Sequence, residues 1–511
     1  MANFNLIDIG TFVVFFAVVV GFSMYKSARE KTSEDYFLAS RGLKWWLIGF
    51  SIVAANISTE QFVGMAGQGA GNVGLAVSSW QLTGSIGIVI VAFTFLPRFL
   101  RSGIYTMPEY LEYRYNATAR GIMAFYTMVI YVAVTITAVL YSGGLTLHTI
   151  FDIDLTLSIW IIGILAALYT TWGGLKAVAW ADLFLGSALL AGGLLTMALG
   201  FKAVGGVTSF FTHNSDRLHM ILPSSHPDIP WTALVLGMWI PIFYYCGLNQ
   251  FIVQRTLAAK TLREGQMGII FAAALWLLVP FAIVFPGIMA LQLYGDKLGS
   301  SDQAYPVLIK SLIPAGLRGF MFAAISGAVM SSLASMLNSA STIFTMDLYL
   351  RHWRKDAPQK TLIVIGRAMT VLFVVAGCLI APQLGDPRFR GIFNYIQEFQ
   401  GYISPGILAA FAFGFAVKRA PASCGVIALL VSAPVYGLLQ WKFGHVAFLN
   451  RMAFTFIFVI ILMALVTAFR PLDKPKQIPV RADFDTRVDP ITAFLGALVI
   501  LAVILFFVIF R

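Results

Sequence analysis

Charge is scarce in this sequence. Only 11% of its 511 residues are Asp, Glu, Lys or Arg, against about 25% in soluble domains. With 59% hydrophobic residues, a mean hydropathy of +0.82 and many long apolar runs, a soluble globular domain is excluded. The pattern is that of a polytopic helical membrane protein. Cysteine is rare too. Cys246, Cys378 and Cys424 fall in or near apolar segments without metal spacing, which argues against a disulfide framework or a zinc site. The six histidines are scattered, with His148 at the outer end of a span, and no nucleophile–base pair or phosphate loop stands out. An enzyme is therefore not expected. A basic leader is also missing. The first apolar stretch, 6–25, is followed by charge and reads as a retained span, not a cleaved signal.

What charge there is sits in a pattern. The net +12 does not point to nucleic acid, because Lys and Arg concentrate in alternate loops. Fourteen spans are expected, at about 6–25, 44–68, 73–97, 121–150, 155–172, 182–204, 231–253, 267–293, 317–346, 362–383, 391–415, 422–441, 447–469 and 490–510. Alternate sides then hold 25 and 10 of the 35 basic residues. The rich side includes loops 26–44, 98–120 and 351–360 and the mobile linker 470–489, which face the cytoplasm by the positive-inside rule. The expected location is the cell (inner) membrane, with both termini outside. No feature calls for an obligatory protein partner.

Polar residues interrupt several spans. AANISTEQFVGMAGQG (54–69) carries Asn56, Ser58, Thr59, Glu60, Gln61 and Gln68 among three glycines. Broken membrane helices are tolerated only where freed backbone faces protein or a water-filled cavity. The plainer reading is small-residue helix packing. Span 7 adds Pro241 and Gly247, span 11 adds Gly401 and Pro405, and span 9 is rich in small and hydroxyl residues. Interrupted spans 2 and 7 each open a five-helix unit of opposite orientation, which indicates an inverted-repeat secondary transporter.

The interruptions suggest a cation site. The Ala328 carbonyl and the Ser331 and Ser332 hydroxyls share one helical turn. Carbonyls near Ala54 and Ile57 at the break in span 2 would complete an oxygen shell for sodium. The alternative is that the serines back-bond to their own helix. Asp182, at the start of span 6, reads either as a functional carboxylate or as a helix cap. Glu60 and Glu398 read as ligands or as hydrogen-bonded wall groups. No arginine is centred in a core span, which weighs against an anionic solute such as a carboxylate or amino acid. The absence of an added signalling domain weighs against a non-transporting sensor.

The stretches SEDYFLASRGLKWW, AANISTEQFVGMAG, GIYTMPEYLEYRYN, GGLKAVAWAD, NQFIVQRTLAAK, SSLASMLNSASTIFTMDLY and NYIQEFQGYISPGILA run in order along nearly the whole chain. They resemble the sodium/solute symporter family, within it the sodium/glucose branch and its bacterial sodium/galactose type. The resemblance implies an all-α LeuT-type fold of two inverted five-helix repeats with extra helices. On the present spans, the repeats fall at 44–204 and 231–415, with an extra helix and loop at 1–43 and extra helices at 416–511. It implies Na+ as the coupling ion, held by Ala54, Ile57, Ala328, Ser331 and Ser332. A second sodium in some members would fall on Asp182, Ser331, Ala334 and Ser335. Ala334 has no hydroxyl, so one sodium is expected.

By the same resemblance, Gln61 and Gln397 match amides that bind sugar hydroxyls. Tyr245 matches the aromatic that stacks under the sugar as an inner gate. Met65 and Phe393 match the outer hydrophobic gate. A glutamate, an asparagine and a lysine of the family site are replaced by Trp80, Ile242 and Trp276, with Gln81 and Thr83 as compensating polar candidates. The indoles make the pocket less polar, while Trp276 can still stack on a solute and donate one N–H. The expectation is a sodium symporter of a small neutral solute, a sugar or polyol other than galactose.

Overall fold

A computed structural model describes residues 6–27, 38–57, 59–151, 153–386, 391–480 and 487–511. Ser58, most of the basic loop 26–44 and part of the linker 470–489 lie outside the described residues. Within them the chain is helical, with two isolated bridges, Leu43 to Ala259 and Leu222 to Pro230. Eleven helices are long and apolar enough to cross a membrane. The pair Ile392–Gln400 and Ser404–Ala416, bent by 45°, makes a twelfth crossing if counted as one span. Two shorter apolar helices, Trp45–Asn56 and Leu155–Leu168, fall on expected spans 2 and 5.

The expected breaks are partly where the sequence puts them. The helix Trp45–Asn56 stops at Ile57, which takes a non-helical φ of −87° and ψ of 84°. A π-helical turn, Glu60–Met65, and a short helix, Ala66–Ala70, continue the segment. Span 11 breaks between Gln400 and Ser404, next to Gly401 and Pro405. Span 7 breaks elsewhere than expected. Pro241 is the third residue of the helix Trp239–Leu248, where its missing N–H costs little, and Gly247 stays helical. The interruption is at Asn249, which is extended, before the helix Gln250–Leu257 begins. Tyr131 holds it open. Its hydroxyl donates to Asn249 Oδ1 and accepts from Phe251 N at 3.1 Å.

The loop expected near 173–181 is absent: one helix runs from Leu155 to Ala203, 49 residues. Its two apolar parts, Leu155–Leu168 and Leu175–Ala203, are joined through Gly173 and Gly174. Asp182 is thus inside a helix and not a cap.

This long helix packs along Leu317–Ile343 and against Trp45–Asn56. Their close approach needs small residues. A Cβ on Gly327 would lie 2.2 Å from Leu185, and one on Gly186 would lie 3.2 Å from Ala54. The first helix, Leu6–Ser27, is anchored by Asp8, whose Oδ1 accepts from Gly316 N at 2.7 Å and Gly319 N at 3.1 Å. That carboxylate serves the positive N-terminus of Leu317–Ile343.

Candidate functional site

The stopped helix Trp45–Asn56 leaves its last carbonyls without helical partners in the usual way. One of them, Ala54 O, faces Leu317–Ile343 and lies 3.4 Å from Ser332 Oγ. Ala54, Ile57, Ala328 and Ser332 have no exposed surface, and Ser331 has 1%. Ser331 is directed to a different partner, donating its hydroxyl hydrogen to Asp182 Oδ1. Ser335 Oγ back-bonds to Ser331 O at 2.8 Å.

Asp182 is fully buried and faces a cation that the sequence reading left in a loop. Arg255, in Gln250–Leu257, is 1% exposed and places Nη2 3.2 Å from Asp182 Oδ2. The same nitrogen donates to Ser335 Oγ at 2.6 Å. Arg255 Nε reaches Ser51 O at 2.9 Å and Ser51 Oγ at 2.6 Å, while Nη1 donates to Phe251 O. Ser51 in turn donates to Asp182 Oδ2 at 2.5 Å. Four helices therefore meet on one buried ion pair that is extensively hydrogen-bonded. The two residues of the expected second sodium position, Asp182 and Ser335, both hold the Arg255 guanidinium. The sequence puts no arginine at the centre of a core span, yet Arg255 is buried. Arg255 lies just past the apolar stretch of span 7, and only the helix that follows the Asn249 break carries it inward.

Next to this lies a small cavity of about 50 Å³, well below the usual range for small-molecule pockets. Gln61, Gln81, Tyr245, Trp276, Gln397, Met65 and Phe393 all line it. So do Trp80 and Ile242, two of the three replaced positions. No charged side chain is in its wall. Thr83 is not in the wall either. Its hydroxyl donates to Ser79 O, and it faces Met238 Sδ at 3.2 Å. At 100° per residue, Thr83 is about 200° round the helix from Gln81.

Asn56, at the end of the broken helix, was missed as a wall residue. It links two others: Gln81 Nε2 donates to Asn56 Oδ1 at 2.6 Å, and Asn56 Nδ2 donates to Tyr245 Oη at 3.0 Å. A polar residue immediately before a helix break was the available signal. Gln61 Oε1 and Trp276 Nε1 are buried and have no hydrogen-bond partner among the described residues. Toward the end where Ile392–Gln400 begins, Trp80 packs edge-on to Phe393 at 5.6 Å and stacks with Phe448 at 6.1 Å. Glu398 lies outside the wall, where it pairs with Arg451 at 2.6 Å and accepts from Gln440 at 3.0 Å.

The arrangement has no activated nucleophile and no cluster of three metal-ligating His, Cys, Asp or Glu side chains among the described residues. It is a closed, neutral, hydrogen-bonding chamber beside a helix break.

Comparisons with known proteins agree with a transport role. The sodium:solute symporter family matches residues 36–432. The sodium/glucose cotransporter of Vibrio parahaemolyticus is 38% identical over 98% of each chain. The human sodium/myo-inositol cotransporter 2 is 35% identical over 85% of this chain and 69% of its own. Among solved structures, a Na+-coupled sialic acid symporter in an outward-open state superposes with a TM-score of 0.82 at 23% identity. It covers 93% of this chain and 99% of that one, so the two share a fold. A chain matched by the family over most of its length, with this fold and this chamber, belongs to the sodium:solute symporter family: it is a multi-pass, sodium-coupled solute transporter and not an enzyme.

Proposed function

We propose that the protein imports a small neutral polyhydroxylated solute, a sugar or polyol, with one sodium ion per cycle. The observation that carries the solute class is the chamber wall. Four amides, Asn56, Gln61, Gln81 and Gln397, surround it with Tyr245 and Trp276, and no charge is present. The orphaned Gln61 Oε1 and Trp276 Nε1 are an acceptor and a donor suited to solute hydroxyls. Leaving such groups unpaired costs about 1–3 kcal/mol each, so a solute that pairs them is favoured over an apolar one. A carboxylate would meet no cation here. Relatives named for glucose and myo-inositol take solutes of this same hydroxyl-rich chemistry.

Sodium is the cargo that loads the break. Hard cations of this size take oxygens at about 2.4 Å, which sets adjacent ligands about 3.4 Å apart. The Ala54 O to Ser332 Oγ separation of 3.4 Å suits that spacing. Ile57 and Ala328 would add carbonyls. A Ser331 hydroxyl that gives its hydrogen to Asp182 turns its lone pairs elsewhere, so Asp182 orients a ligand. Arg255 neutralises Asp182 and occupies the second position, which supports a stoichiometry of one.

The expected membrane design is fourteen crossings: the twelve counted, plus broken span 2 and the short span 5, the last requiring the chain to reverse between Leu168 and Leu175. Repeats at 44–204 and 231–415 rock about the broken helices, with both termini outside the inner membrane. Met65, Trp80 and Phe393 close the outer side, and Tyr245, latched to Asn56, closes the inner side. Sodium binding orders the break that carries Asn56 and Gln61, so ion and solute bind with positive, reciprocal coupling. One charge moving through about 100 mV supplies about 2.3 kcal/mol. A tenfold sodium gradient adds about 1.4 kcal/mol. The sum supports roughly 500-fold accumulation of a neutral solute.

The test is uptake of labelled sugars and polyols into proteoliposomes, under an inward sodium gradient and a matched potassium control. Sodium-dependent accumulation of one neutral member is expected. Accumulation of a carboxylate or amino acid instead would overturn the solute class. Gln61→Ala and Gln397→Ala are each expected to raise the half-saturating solute concentration about 5- to 10-fold. Direct sodium binding in the absence of solute is expected to stay near the parent value. Unchanged solute affinity in both variants would place the solute elsewhere.

A further inference from the structure

Two other cavities adjoin one another away from the solute chamber. The first, about 530 Å³, is walled by Arg98, Arg101, Arg114, Lys418 and Lys476, with no carboxylate. The basic loops 98–120 and 470–489, far apart in sequence, meet there. The linker closes one side through Leu472 N to Arg419 O at 2.9 Å and Lys476 N to Lys418 O at 3.0 Å. Arg114 is committed: its guanidinium donates to Gly414 O at 2.9 Å, to Ala420 O at 3.2 Å and to Val417 O. Arg98 donates to Thr94 O and covers the Phe415 ring at 4.9 Å. The side chains of Arg101, Lys418 and Lys476 have no hydrogen-bond or ion-pair partner among the described residues.

Nearby acids do not neutralise this cluster. Burial alone would raise the Glu112 carboxyl, but Arg120 and Arg351 hold it below its ordinary value. Glu109 accepts from Tyr105 N at 2.7 Å and from Tyr113 Oη at 2.9 Å.

The second cavity, about 510 Å³, is an almost wholly apolar groove lined by residues such as Phe95, Trp239, Phe243, Ala412 and Phe456. The two cavities share their walls. Thr94 and Phe95 line the groove, and Arg98, one turn on, lines the basic cavity. Ala412 lines the groove, and Phe415 lines the basic cavity. The Phe95 and Phe415 rings meet at 5.1 Å where the two join.

We infer that this crevice binds an anionic diacyl phospholipid, with the headgroup phosphate among Arg101, Lys418 and Lys476 and an acyl chain in the groove. A zwitterionic lipid brings a quaternary ammonium beside its phosphate and so leaves the net positive charge of the mouth uncompensated. A soluble phosphate would leave the groove uncovered. Only a ligand with both an anionic head and a long apolar tail uses both halves.

The test is native mass spectrometry of the full-length protein in detergent micelles, titrated with phosphatidylglycerol or phosphatidylcholine. Preferential retention of phosphatidylglycerol is expected. The triple variant Arg101→Gln/Lys418→Gln/Lys476→Gln is expected to lose about 100-fold of that affinity, about fivefold per cation, with phosphatidylcholine binding lowered much less, so that the preference between the two lipids collapses. Ala412→Trp, which fills the groove, is expected to weaken phosphatidylglycerol binding as well. Equal binding of the two lipids, or parent-like phosphatidylglycerol binding by the triple variant, overturns the site. Displacement of the lipid by an equal concentration of soluble glycerol phosphate reassigns the basic cavity to free phosphates and overturns the lipid.

Discussion

Arg255→Met is expected to lower the stability of the protein by about 3–5 kcal/mol. Removing the guanidinium leaves Asp182 buried and charged, with Ser51 and Ser331 as its remaining partners. Neither serine can neutralise it. The same change also strips hydrogen bonds from Ser335 Oγ, Ser51 O and Phe251 O, so four packed helices lose their common junction. Asp182→Asn is expected to cost a similar amount, because it strands the cation instead. The double variant, with no buried charge left, is expected to recover a large part of the loss. Unfolding in detergent micelles, followed with the parent and all three variants, measures this directly. A single variant as stable as the parent, or a double variant whose loss equals the sum of the singles, would show that the pair is not the junction described.

Ser332→Ala is expected to raise the sodium concentration for half-maximal uptake by about 10- to 150-fold, the loss of one polar contact to a charged group. The hydroxyl is buried and 3.4 Å from the Ala54 carbonyl. Its removal touches no charge pair, so stability is expected to change by under about 1 kcal/mol. Ser331→Ala differs in kind. It takes a hydrogen-bond donor from Asp182, so it is expected to perturb both sodium activation and stability. Sodium activation of uptake, read beside unfolding for each variant, separates the two roles. Unchanged sodium activation in Ser332→Ala would remove Ser332 from the ion site.

Much of this could be read along the chain because a bilayer imposes simple rules. Apolar length marks the crossings, and polar interruptions are tolerated only at cavities. That is why the break after Asn56 and the bend near Gly401 were legible. Gln61, Tyr245 and Gln397, indicated by the resemblance, line one chamber together with Trp276, which replaces a family lysine, and Gln81, a compensating candidate. Thr83 failed because two residues along a helix point in nearly opposite directions, so sequence proximity to Gln81 did not place it in the wall. The span 7 break was misplaced because Pro241 and Gly247 are the strongest local breakers by propensity. The actual break, at Asn249, is held by Tyr131, 118 residues away in sequence.

The sequence by itself determined the class of molecule, most of its apolar crossings and the broken span 2, which follow from hydrophobic length, helix propensity and charge asymmetry, local or additive along the chain. The residues of the chamber wall were indicated by the family resemblance. The tertiary structure alone decided which polar groups share a partner. It joined Arg255 to Asp182 across 73 residues and turned Ser331 away from Ala54 while leaving Ser332 beside it. It also gathered the unpaired cations of two distant loops at the mouth of an apolar groove. In a low-dielectric interior, a charge or hydroxyl is governed by the atoms within a few ångströms of it. Those neighbours come from helix packing, which no single stretch of sequence contains.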